Sequence, residues 1–272
     1  MREGVLRAAA AFSDQVEVSF VSYPRLGEGD IPPFQHALEQ GVRGIIIAPG
    51  HPLQIAPWIK KAVLKRVAVV CVVTDAPDTA RLTAVTPDHY ASGSLVGELL
   101  HRIFPQGGRL AVITGELATF DHAEKLRGLL AGLQMGGGRV VISSVFEAHD
   151  DLSLAYQQTR ELLRNNHKID AVYVGTANSM GVIEAAREVD PGGRVAIVTT
   201  DLFPDLVPFI RSGRVLATVH QRPVTQGRLA FEALHKYLAE DKQPPPVIKL
   251  APNLIMRSNL DISMDSKPWE WE

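Results

Sequence analysis

Asp201 and Gln221 are polar residues that each close an apolar strand: Val195 to Val198 runs on to Asp201, and Leu216 to Val219 runs on to Gln221. Side chains just past the carboxyl ends of strands face the crevice where open α/β sheets take ligands. An acid and an amide there can hydrogen-bond a ligand; the alternative is a pair of polar residues in solvated loops. Pro223 then presets the backbone for a helix with Ala230 and Leu234 on one face. Asp88 follows the strand LTAVT and opens the helix HYASGSLVGELL, so it reads as a helix N-cap. His51, in APGHP, follows another apolar strand, and His89, His122 and His220 neighbour other strand ends. Four histidines near one crevice raise the question of a metal. No HExxH, no histidine pair at helical spacing and no Cys/His cluster is present, so none is expected. The sequence also lacks GxSxG, GxxxxGK[ST] and a GxGxxG after a strand. The expectation is a binding module without cofactor or catalytic residues.

The elements that must position these residues alternate regularly. Strands are expected at Val16 to Val21, Gly44 to Ala48, Val67 to Val73 and Leu82 to Thr86, separated by helices Pro33 to Gln40 and Pro52 to Lys65. The helix His89 to Phe104 leads to a break at Pro105-Gln106-Gly107-Gly108, after which the strand–helix alternation restarts. Continuous rather than alternating apolar strands, each followed by a helix, indicate parallel sheets covered on both faces. The expected class is α/β with two doubly wound parallel-sheet lobes. Residues 1–104 and 223–246 are assigned to an N-terminal lobe, and 105–222 and 247–272 to a C-terminal one. Gly93 and Gly97 are expected to let their helix pack closely on the sheet.

A chain of 272 residues, 46% of them hydrophobic, can fill two such lobes. Its net charge of −2 gives no electrostatic reason to bind nucleic acid or an anionic membrane. No apolar run reaches the roughly 18 residues needed to cross a bilayer. Cys71, the only cysteine, lies inside VAVVCVV and reads as a core residue, which rules out intramolecular disulfides. The N-terminus MREGVLRAAAAF carries Glu3 and Arg7 where a secretory leader would be apolar.

The order of these features resembles the sugar-binding fold shared by LacI-family regulators and bacterial periplasmic sugar-binding proteins, from Arg2 to Leu260. The resemblance implies that Asp201 and Gln221 bond sugar hydroxyls, that Asp88 reaches the ligand between lobes, and that Asn178, in VGTANSMGVIEAA, stands at a further ligand loop. It places His51 on a first-lobe ligand loop. The aromatic rings of Tyr23, Phe120 and Phe203 lie where rings can cover a sugar face. The family's Arg-x-x-Gly-Phe becomes Lys125-Leu126-Arg127-Gly128-Leu129 here. Lys125 can donate but cannot fork onto two oxygens, which leaves open an acidic or phosphorylated ligand. Arg127 points about 200° around the helix from Lys125 and does not replace it. The resemblance further implies a strand before the first helix, in the centre of the first sheet, and Met1 falls directly on that helix. A truncated start is expected.

The ending MRSNL favours the effector-sensing domain of a LacI-like regulator, cytoplasmic and dimeric, that binds a sugar or sugar derivative. DNA would be reached only through a helix-turn-helix absent from this chain. The helix Pro52 to Leu64, with Trp58 as anchor, is the candidate dimer surface. The alternative is the periplasmic sugar-binding protein of an ABC-type transporter.

Overall fold

Apolar strands, several of them buried along their whole length, divide the chain into two sheets, each packed by helices. The computed structural model describes residues 1–24, 28–165, 168–176 and 179–261. The first half contains helices α1 (Arg2–Ala10) and α2 (Ile31–Glu39), strand β1 (Gly44–Ile47), helix α3 (Pro52–Leu64), strands β2 (Ala68–Val72) and β3 (Thr83–Pro87), and helix α4 (His89–Ile103). There follow β4 (Gly108–Thr114), α5 (Phe120–Met135), β5 (Val140–Glu147), α6 (Leu152–Asn165), β6 (Ala171–Val174), α7 (Ser179–Val189) and β7 (Ala196–Thr200). A 3-10 turn (Pro204–Leu206) leads to α8 (Val207–Ser212), β8 (Ala217–His220), α9 (Pro223–Glu240), β9 (Val247–Leu250) and β10 (Asn253–Ile255).

The first sheet has the order β1-β2-β3-β9, parallel throughout. β2 shows why: alternate residues serve opposite faces. Val69 and Cys71 join Phe34, Ile55 and Ile59 of α2 and α3, whereas Val70 and Val72 join Ala230 and Leu234 of α9. The second sheet has the order β10-β8-β7-β6-β4-β5, with only β10 antiparallel.

Two boundaries differ from the sequence expectation. Helix α4, expected within the first lobe, packs on the second: its Val96 and Leu100 lie in one cluster with Leu110, Val112, Leu129 and Tyr173. Strand β9, expected in the C-terminal lobe, pairs with β3 in the first sheet, Ala84 opposite Val247 and Pro87 opposite Leu250. Only after Leu250 does the chain cross, and β10 then pairs with β8. The lobes are therefore joined at Pro87–Asp88, at Gln221–Pro223 and between Leu250 and Asn253. The single phrase LAPNLIM carries apolar residues for both sheets, which hid the crossing.

Gly93 and Gly97 pack on a helix rather than on the sheet. A Cβ on Gly93 would lie 1.9 Å from the Lys125 carbonyl oxygen, and one on Gly128 would lie 2.0 Å from that of Tyr90. The paired spacings Gly93/Gly97 and Gly128/Gly132 thus let α4 and α5 touch backbone to backbone. Residues 16–21, expected as strand, join no ladder. Val16 and Val18 still pack with Val5, Ala9, Phe231 and Ile46. β1 is the outer strand on that side. No strand lies between the two among the described residues, so residues 16–21 have nothing to pair with.

Candidate functional site

Gln221 follows β8 and Asp201 follows β7, adjacent parallel strands, so both side chains emerge at one end of the second sheet. Asp201 takes a left-handed backbone (φ +70), and its N–H donates to the Val219 carbonyl at 2.9 Å. The Gln221 amide Nε2 donates to both carboxylate oxygens of Asp201 at 3.0 Å. Gln221 is 8% exposed, and its Oε1 is buried with no partner in the protein.

Lys125 enters the same region from the first turns of α5 and is 3% exposed. Its ammonium donates to Asp121 Oδ2 at 3.3 Å and to the Gly175 carbonyl at 3.2 Å. Burial alone would discharge the lysine; Asp121, with help from Tyr173 and Asp201, raises its pKa instead. Burial would likewise raise the pKa of Asp121, but His122 and Lys125 hold that carboxyl well below the usual range. His122 Nδ1 accepts from the Glu116 N–H at 3.1 Å, leaving Nε2 3.5 Å from Asp121. The D-x-x-x-K spacing of Asp121 and Lys125 puts them one helical turn apart. That spacing is visible in the sequence, yet Asp121 was not expected in the site.

Asp88 caps α4, accepting from the Ala91 N–H at 3.0 Å, and pairs with Lys249 at 3.0 Å. Burial works against its charge, but the Ala91 N–H and Lys249 lower its pKa. Since Lys249 lies on β9, this pair ties the first lobe crossing to the strand that leads into the third. His89 beside it is 3% exposed, and its Nε2 lies 2.6 Å from the Val73 carbonyl. Burial, then the charge of Lys125, pushes the His89 pKa down to about 4, so the ring is neutral near pH 7.

Asp201 and Gln221 touch, Lys125 lies within electrostatic reach of Asp201 and His89, and Asp88 is next to His89. Phe120 is half-buried at the start of α5, one turn before Lys125. His51 caps α3 at the carboxyl end of β1, and no hydrogen bond or ion pair links its side chain to the cluster among the described residues. Asn178 lies outside the described residues. Sequence reasoning missed Asp121, whose only signal was its spacing to Lys125, and Tyr173 and Gln226, which carry no motif of their own. A hollow of about 520 Å³, lined by Ile210, Val215, Leu216 and Met256, shares no residue with this cluster. Among the described residues, Glu116, Glu147 and His149 could together approach a metal ion. All three side chains already have a contact, because Glu147 accepts from the Leu117 N–H at 2.7 Å and His149 Nδ1 lies 3.4 Å from Glu116.

The family described as "Periplasmic binding protein domain" matches residues 1–242. The chain belongs to that family. Its fold is the type I periplasmic-binding-protein fold. The glucose-galactose binding protein GanP from Geobacillus stearothermophilus superposes with a TM-score of 0.88 at 22% identity, covering 95% of this chain and 92% of that one. A Caulobacter myo-inositol binding protein, bound to myo-inositol, gives 0.87 at 25% identity, with 99% and 91% covered. In sequence, the D-ribose/D-allose-binding protein of Pseudomonas aeruginosa is 24% identical over 75% of this chain and 66% of its own length. The transcriptional repressor PurR of Escherichia coli is 26% identical over 65% of this chain and 51% of its own length. The match thus spans two thirds or less of these curated relatives. The periplasmic binding protein domain has sugar-binding relatives, and these outweigh the repressor matches.

Proposed function

We propose that this periplasmic binding protein domain is the sugar-binding module of a solute-binding protein serving an ABC-type transporter, and that it works in the periplasm. This reverses the sequence preference for a regulator, which rested on the short MRSNL ending. The relatives named for ribose, allose, xylose and arabinose binding support it. The absence, among the described residues, of a helix long and apolar enough to span a membrane is compatible with it.

The observation that carries the ligand class is the state of the polar groups. Lys125 is already matched by Asp121, so it does not offer a surplus charge to an acid or a phosphate. What remains open is acceptor capacity: Gln221 Oε1 and the Asp201 carboxylate, with Asp88 at the crossing. Acceptors at fixed positions suit a ligand rich in hydroxyl donors, and buried ones left bare would penalise a ligand lacking them. The ligand is therefore a neutral sugar or polyol held between the lobes, with closure about the three crossings and no covalent step.

Calorimetry with D-ribose, D-allose, D-xylose, L-arabinose and myo-inositol, against ribose 5-phosphate and gluconate, tests this. A neutral sugar should bind and the anions should not. Asp201→Ala should then cost about 1–3 kcal/mol of affinity, roughly ten- to hundredfold. Unchanged affinity would remove Asp201 from the site, and tighter binding of the anions would restore the acidic-ligand reading.

The regulator remains the second reading, favoured by the repressor matches. It calls for a homodimer, whereas the transporter reading calls for a monomer. Trp58 is a poorer anchor than expected: it packs on the first-lobe core, with Lys61 Nζ 4.8 Å from its ring centre. Leu53 and Leu64 of the same helix are 89% and 77% exposed. Sedimentation at micromolar concentration should find a monomer; a dimer broken by Leu53→Glu or Leu64→Glu would favour the regulator.

A further inference from the structure

We propose that His89 contacts the ligand and couples it to the first lobe: Nδ1 accepts a hydrogen bond from a ligand hydroxyl while Nε2–H holds the Val73 carbonyl. The proposal rests on the sugar reading above and adds a residue and a route to it. A carbonyl only accepts, so the nitrogen 2.6 Å from Val73 must carry the hydrogen. A neutral imidazole has one hydrogen, which leaves Nδ1 as a bare lone pair. It is buried, on a side chain 3% exposed, and has no partner in the protein. Such atoms are rare in native proteins and call for an unseen partner.

The groups facing the ring do not fill this role. Lys125 spends two of its hydrogens on Asp121 and Gly175, Asp121 is an acceptor like Nδ1, and His122 is engaged with Glu116 and Asp121. Asp88, next in the chain, accepts from Ala91 and Lys249. A hydroxyl donor entering between the lobes satisfies Nδ1, whereas an ammonium there would meet Lys125.

The other side of the ring leads away from the ligand. Val73 stands in a left-handed conformation (φ +67) at the end of β2, and its N–H donates to Gln226 Oε1 at 3.0 Å. Gln226 Nε2 donates to the Gln221 carbonyl at 2.6 Å, and the Gln221 side chain returns to Asp201. A continuous chain of hydrogen bonds thus runs from His89 through the first lobe and the second crossing to the other ligand group. Hydrogen bonds in such a chain polarise and strengthen one another.

Two substitutions separate the nitrogens. His89→Gln keeps a donor where Nε2 reaches Val73 and deletes the Nδ1 acceptor; His89→Asn keeps an acceptor near Nδ1 and loses the reach to Val73. With whichever of D-ribose, D-allose, D-xylose or myo-inositol binds the unaltered chain, His89→Gln should weaken binding about tenfold or more at an unchanged melting temperature. His89→Asn should bind within about threefold of the parent while melting earlier. If His89→Gln binds as the parent does, the proposal falls and the sugar reading stands. If no sugar binds the parent, both fall together. Should either variant fail to fold, nitrogen NMR of the parent decides. The Nδ1 resonance of His89 should lie in the unprotonated range and move on saturation with the bound sugar, and an unmoved resonance overturns the contact.

Discussion

Gly128→Ala should be among the most damaging single-methyl changes available in this protein. The added carbon would meet the Tyr90 carbonyl oxygen at 2.0 Å, with the Ser94 amide nitrogen 3.0 Å away. Both are backbone atoms of α4, so no side chain can rotate out of the way and the two helices must separate. Overpacking a well-filled contact costs about 1–3 kcal/mol and sometimes more, and a rigid backbone neighbour belongs at the upper end. The helix propensity gained on replacing glycine, about 1 kcal/mol, does not offset this. Gly192→Ala, where nothing lies within 4 Å, is the control and should be close to neutral. Urea denaturation of the three proteins gives the comparison, and a Gly128→Ala midpoint equal to the control would refute the close-contact account. A functional loss should accompany the unfolding one. α4 carries Asp88 and His89, while α5 carries Asp121 and Lys125, so their spacing sets the width of the polar cluster.

This contact also shows where the sequence was legible and where it was not. Gly93 and Gly97 stand out as small residues one turn apart, and their need for a close neighbour could be read directly. Which neighbour could not be read, because that depends on α4 crossing to the second lobe, a choice made by Val96 and Leu100 fitting against Leu110 and Leu129. The strand–helix alternation and the fully apolar β2 were legible because burial on both faces leaves no alternative composition. Residues 16–21 were misread for a complementary reason. Their apolar character is real and Val16 and Val18 are packed, but a strand also needs a neighbour's backbone, which a local pattern does not report. In the candidate site, the placement of Asp201 and Gln221 at one end of the second sheet was legible because each follows an unmistakable strand. Asp121 was not, since an acid at the start of a helix is ordinary; only its burial beside Lys125 makes it special.

Asp121→Asn carries the second large expectation. It leaves the Lys125 ammonium buried without its counter-charge, and breaking a buried pair from one side costs about 3–5 kcal/mol. The double variant Asp121→Asn/Lys125→Met removes both charges and should recover most of that loss, because replacing a buried pair by a well-packed apolar side chain is often neutral. The pH dependence has a definite sign. The Asp121 carboxyl is held below its ordinary value of 3.8, so its contribution is complete above that value and is lost as pH falls through the folded pKa. His89 acts earlier in an acid titration. Its pKa drops from 6.5 to about 4 on folding, so the unfolded chain takes up a proton that the native ring refuses, and stability declines from pH 6.5 down to about 4. Lys125, raised above its ordinary 10.5, contributes fully below that value and loses its contribution only as strong alkali passes its folded pKa. Urea midpoints at pH 7, 5 and 3 should therefore fall steadily for the parent, with the decline to pH 5 belonging to His89. The double variant should share the His89 decline, which runs on to about pH 4, and should then lose less than the parent by pH 3, since it no longer has the carboxylate to protonate. A double variant as unstable as Asp121→Asn alone at pH 7 would mean that the pair is needed for packing rather than charge. In that case Lys125 would have to be read as a structural strut beneath the site instead of a donor within it.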